Sequence, residues 1–125
     1  MTASSNHKPH FTVGVTCVGG TFIADVVNAL RAAPDFTVTI IGVDANAAAR
    51  GRVLCDRFAV LPMAEEDETG YVNGWQGLNA THHIELILAL SEGESRVLSI
   101  HAETFKADGV RLSVGPQESV AVMTD

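Results

Sequence analysis

Two hydrophobic periods take turns along this chain, and that alternation limits its fold more than any single motif. Residues 11–17, Phe-Thr-Val-Gly-Val-Thr-Cys, alternate and are rich in β-formers, which predicts a strand. Val18-Gly19-Gly20-Thr21 then punctuates the chain, and Ile23, Val26, Val27 and Leu30 follow at the i, i+3, i+4, i+7 spacing of one helical face, closed by Pro34 and Asp35. The cycle repeats. Residues 36–43 are almost continuously apolar or β-branched, as in a strand buried on both faces. Residues 47–55 read as a short helix, and 58–62 as a short strand stopped by Pro62. The acidic run Glu65-Glu66-Asp67-Glu68 and Gly70 read as an exposed loop. Tyr71, Trp75 and Leu78 give 71–81 helical spacing, which Gly74 and Gly77 weaken.

Periodicity alone leaves 84–90, Ile-Glu-Leu-Ile-Leu-Ala-Leu, open between helix and strand. Its flank decides for a buried strand. Ser91 to Ser95 supplies a turn and a helix cap, after which Val97, Leu98, His101 and Phe105 keep helical spacing up to a C-capping Gly109. A last strand over 110–114 and a helix over 116–122, with Pro116 in its first turn, complete the order. Residues 1–9 lack periodicity and read as a flexible leader to a single domain spanning 10–125.

Strands that alternate strictly with helices imply an α/β, three-layer, Rossmann-like domain: a mainly parallel sheet with helices on both faces. Ligands of such sheets bind outside the carboxyl ends of the strands, where strand order reverses. That rule selects the loops 18–21, 44–46, 62–70 and 91–95.

Composition removes several function classes. The chain has 125 residues, 46% of them hydrophobic, enough for one core and too few for two. A net charge of -7, with the one dense charge run acidic, is the wrong sign for a phosphate backbone, so no nucleic-acid partner is expected. No apolar run approaches the roughly 20 residues of a membrane helix, and the first residues hold no apolar signal core, so the expectation is a cytoplasmic protein without a membrane partner. Cys17 and Cys55 lack metal-type spacing and read as free thiols.

The glycine turn Gly19-Gly20-Thr21 opens a helix directly after the first strand, where backbone amides make an anion site. The dinucleotide fingerprint is incomplete because Ile23 replaces the third glycine, and a simple tight turn is the competing reading. Asp44, at the end of the second strand, suits a ribose hydroxyl or an amino group; with Asn46 it equally suits an Asx turn. Cys17 near a helix start is a conceivable nucleophile, with a buried small hydrophobe as the alternative. Ser91, Glu92 and Glu94 place two carboxylates at a strand end, where acid also suits a helix dipole. His82-His83 with Glu85, and His101 with Glu103, do not form a metal motif, and no catalytic set assembles from the chain.

Four segments together resemble a known family: Phe11-Thr-Val-Gly-Val-Thr-Cys-Val-Gly-Gly-Thr21, Val43-Asp-Ala-Asn46, Cys55-Asp-Arg-Phe-Ala-Val-Leu-Pro62, and His101-Ala-Glu-Thr-Phe-Lys-Ala-Asp-Gly-Val-Arg-Leu-Ser-Val114. In this order and spacing they are similar to the pre-ATP-grasp domain of the carbamoyl-phosphate-synthase-like ATP-grasp proteins, over about residues 11–125. The resemblance implies the N-terminal, substrate-side domain of an ATP-dependent carboxylate-amine or carboxylate-thiol ligase, not catalytically complete alone. It also implies an ATP-grasp domain as partner, in cis or in trans, that carries ATP and magnesium, so that no cofactor belongs to this chain. The family's substrate-facing edge falls on Gly19, Gly20, Thr21, Asp44, Asn46, Ser91, Glu92 and Glu94, with a small molecule as ligand. Cys17 departs from the small residue or glycine common in that turn, and Ala89-Leu90 from a common proline. The alternatives are a free-standing nucleotide- or dinucleotide-binding module and a non-catalytic interaction domain that docks a partner at its sheet edge or an apolar helix face; separately, a homodimer covering the face of an absent neighbour would use the terminal helix at Val120 and Val122.

Overall fold

The computed structural model describes residues 8–113, so most of the leader, Val114 and the helix expected over 116–122, with Val120 and Val122, lie outside the described residues. The described chain forms β1 (His10–Val15), α1 (Ile23–Ala32), β2 (Thr37–Asp44), a 3-10 helix (Arg50–Leu54), β3 (Arg57–Val60), α2 (Glu68–His82), β4 (Leu86–Leu88), α3 (Glu92–Ile100), α4 (Ala102–Ala107) and β5 (Arg111–Ser113). The five strands make one sheet in the order β3-β2-β1-β4-β5, and every pairing is parallel. The α/β, Rossmann-like class read from the alternation is the observed one. No described helix is long and apolar enough to cross a membrane.

The pleat divides the core in two. Val13 and Val15 of β1 and Ile40 of β2 pack with Ile23 and Val27 of α1 on one face. Ile41, Val43 and Ile87 pack with Tyr71, Val72, Trp75, Val97, Leu98 and Phe105 of the later helices on the other. Between Val13 and Val15, Gly14 faces the second cluster, and a Cβ there would sit 2.6 Å from Trp75 Cζ3. The indole therefore rests directly on the central strand, an approach that only glycine permits.

Helix α2 begins three residues before the expected 71–81 segment, and at 15 residues it is the longest described helix. Two glycines lower its propensity, but burial of Tyr71, Val72 and Trp75 outweighs that cost, and Gly74 lets Leu61 come close. The acidic run is accordingly divided. Glu65 and Glu66 stay in a turn, Asp67 caps the helix by accepting the Gly70 amide at 2.9 Å, and Glu68 enters the first turn, where negative charge suits the dipole.

Three further elements differ from expectation. The 47–55 helix is a 3-10 turn of five residues, because 46–49 is spent on a turn in which Asn46 accepts the Ala48 amide through Oδ1 and the Ala49 amide through its carbonyl. The 84–90 strand pairs only over Leu86–Leu88, since the Ile84 amide goes to the Asn79 side chain and that of Leu90 to the Thr16 hydroxyl. The helix leading to Gly109 divides at His101, whose ring binds Glu68 at 2.6 Å. Gly109 itself takes the left-handed backbone (φ 82°) that ends α4.

Candidate functional site

The strand order reverses between β1 and β4: the chain moves outward from β1 through β2 to β3, then crosses to the other side of β1. At this switch the loops diverge and leave a crevice. Among the described residues, a cavity of about 330 Å³ lies along the carboxyl ends of the strands, at the small end of the range of small-molecule sites, roughly 300–1,000 Å³. Cys17 follows β1; Val43, Asp44 and Ala45 close β2; Leu61 to Glu65 follow β3; Ser91, Gly93 and Glu94 follow β4; and Tyr71 reaches in from α2.

Hydrogen bonds hold the polar wall in place. Tyr71 is 1% exposed, and its hydroxyl donates to Glu94 Oε2 at 2.8 Å; the Ser91 hydroxyl donates to Glu94 Oε1, also at 2.8 Å. Ser91 is at the same time the N-cap of α3, accepting the Glu94 amide at 3.4 Å. Burial, then the charge of Glu94, push the Tyr71 phenol far above its usual range, so it acts as a fixed donor. The indole N–H of Trp75, buried and without a well-formed hydrogen bond, acts on Tyr71 in the opposite sense.

Asp44 clamps the two loops beside it. Its Oδ2 accepts the Gly19 amide at 2.8 Å and its Oδ1 the Asn46 amide at 2.9 Å. The Gly20 amide meanwhile donates to the Cys17 carbonyl at 2.9 Å. Two amides of the glycine turn are thus already engaged, one of them by a carboxylate standing where a phosphate oxygen would have to accept. Helix α1 starts later, at Ile23, with Phe22 as an N-cap that offers no side-chain oxygen.

Cys17 sits in the left-handed region, φ 55°, a conformation that costs a side-chain-bearing residue roughly 1–2 kcal/mol. Its thiol is pushed up from the ordinary value by burial, then by the charges of Glu94 and Asp44. A thiol held protonated in this way is a poor nucleophile, so the activating effect expected from a nearby helix start is outweighed. Cys55, free like Cys17, is also pushed up, chiefly by burial.

Of the residues selected from sequence, Asp44, Ser91 and Glu94 line the cavity. Gly19 and Asn46 are exposed and outside its lining but tied to it through the Asp44 carboxylate, while Gly20, Thr21 and Glu92 are also exposed and are not part of its wall. Pro62, Met63 and Glu65, also in the wall, fall in the 62–70 loop that the rule of strand ends picks out without singling out any residue of it, whereas Leu61 and Tyr71 carry no such signal. The helical spacing of Tyr71 and Trp75 marks both only as core. Among the described residues no three His, Cys, Asp or Glu side chains come together to hold a metal ion.

Neither the known protein families nor the curated proteins contain a match to this chain.

Proposed function

We propose that this chain is the substrate-side domain of an ATP-grasp carboxylate-amine or carboxylate-thiol ligase of carbamoyl-phosphate-synthase-like type. It holds the small-molecule substrate, while an ATP-grasp domain, in the same polypeptide or another, binds ATP and magnesium. The observation that carries this reading is the sign of the cavity. Its described wall includes Asp44 and Glu94, with Glu65 paired to Arg96, and no lysine or arginine, and the Gly19 amide is already taken by Asp44. A nucleotide's phosphates need the reverse: free amides and positive charge.

The apolar rim adds support. Val60 at the end of β3 is 51% exposed, and Met63 in the cavity wall is 54% exposed, a surface suited to a second domain closing over the substrate. Calorimetric titration with ATP plus magnesium, and separately with NAD, tests the reading. Neither binds under the ligase reading. Binding of NAD that weakens in Asp44→Ala replaces it with a dinucleotide-binding module.

A further inference from the structure

The charges around the cavity are not balanced within its wall. Glu65 is neutralised by an ion pair with Arg96. Among the described residues, Asp44 and Glu94 instead accept hydrogen bonds from uncharged donors: the Gly19 and Asn46 amides for the first, the Tyr71 and Ser91 hydroxyls for the second. These donors fix where each carboxylate points without cancelling its charge. The thiol of Cys17, which lines the cavity, feels both carboxylates, so their fields overlap inside it. Leu61, Pro62 and Met63 give the same cavity an apolar part of its lining. A carboxylate pair partly removed from water and lacking a cation gains when a cation enters, because each charge then recovers an opposite partner at reduced dielectric.

We propose that the cavity at the switch point binds a primary ammonium group carried on a short aliphatic body, the ammonium facing Asp44 and Glu94 and the body lying along Leu61, Pro62 and Met63. This deepens the ligase reading by naming the class of substrate its amine-side pocket takes, and it rests on that reading. The volume of about 330 Å³ admits a small aliphatic amine and leaves little room for a dinucleotide. Tyr71 and Ser91 keep both Glu94 oxygens in register with the incoming ammonium, and Tyr71, held neutral, stays a donor at any ordinary pH.

Three probes with one aliphatic body and different heads test this: pentylamine, 1-pentanol and pentanoate, titrated into the whole chain and followed by backbone amide NMR. Pentylamine is expected to shift the amides of Gly93, Glu94 and Asp44 and to bind at least about ten-fold tighter than 1-pentanol, with pentanoate silent. Glu94→Gln, which keeps the shape of the side chain, reduces pentylamine binding about ten-fold.

A second readout needs no variant. The pH profile of Cys17 alkylation, separated from that of Cys55 by peptide mapping, moves down by about one pH unit with pentylamine and stays put with 1-pentanol. Equal binding of the three probes, binding of pentanoate, silence of all three, or an unmoved Cys17 profile overturns the assignment. Failure of the amine with ATP and NAD both silent removes the ammonium site and leaves the ligase reading standing. Binding of NAD removes the ligase reading itself.

Discussion

At the scale of single residues, two positions fix how the site sits on the sheet. Gly14 gives the Trp75 ring its seat on β1, and an added Cβ would meet Cζ3 at 2.6 Å and Cη2 at 2.7 Å. Gly14→Ala is therefore expected to cost about 1–3 kcal/mol through overpacking, read as a lower urea midpoint by fluorescence of the single tryptophan. Tyr71→Phe removes one of the two hydroxyls on Glu94 while keeping the ring, and is expected to cost about 1–2 kcal/mol in the same assay. Asp44 could be read from sequence because a carboxylate at a strand end is unusual among apolar neighbours. Tyr71 could not, because a tyrosine at helical spacing has the same signature whether its hydroxyl meets solvent, core or ligand.

At the scale of elements, the order of strands and helices was legible wherever the hydrophobic period was long, and failed where tertiary contacts override local preference. Glycine content made α2 look weak, yet it is the longest described helix because the sheet face beneath it needs cover. No proline or glycine marks the division of α3 from α4 at His101, so nothing in the local sequence signals it. The acidic run hid a cap. Asp67→Ala is expected to cost about 1 kcal/mol and lower the thermal midpoint by about 4 °C, with Asp67→Asn restoring most of it; circular dichroism melts of the three proteins check this.

For the whole molecule, the raised acids set a limit on the alkaline side. Cys17, Cys55 and Tyr71 all hold their protons more tightly folded than unfolded. Their contribution is complete below the unfolded values, about 8.5 for cysteine and about 10 for tyrosine, and declines as pH rises beyond them. The expected stability curve, from urea titrations between neutral pH and pH 11, bends down near pH 9 and steepens above 10, by about 1.4 kcal/mol per pH unit for a group that stays protonated in the fold. Tyr71→Phe abolishes the steeper part. A flat curve through pH 11 contradicts the burial of the phenol. The strand order also has a consequence in time. During synthesis β1, β2 and β3 emerge first and can pair, but the free side of β1 waits for β4, which meets Thr12 and Val13 only when the chain has reached Glu85 and Leu86. Until then that side of β1 is bare and Trp75 has half a sheet to rest on, so the interval between Val60 and Leu88 leaving the ribosome is when a chaperone has most to protect.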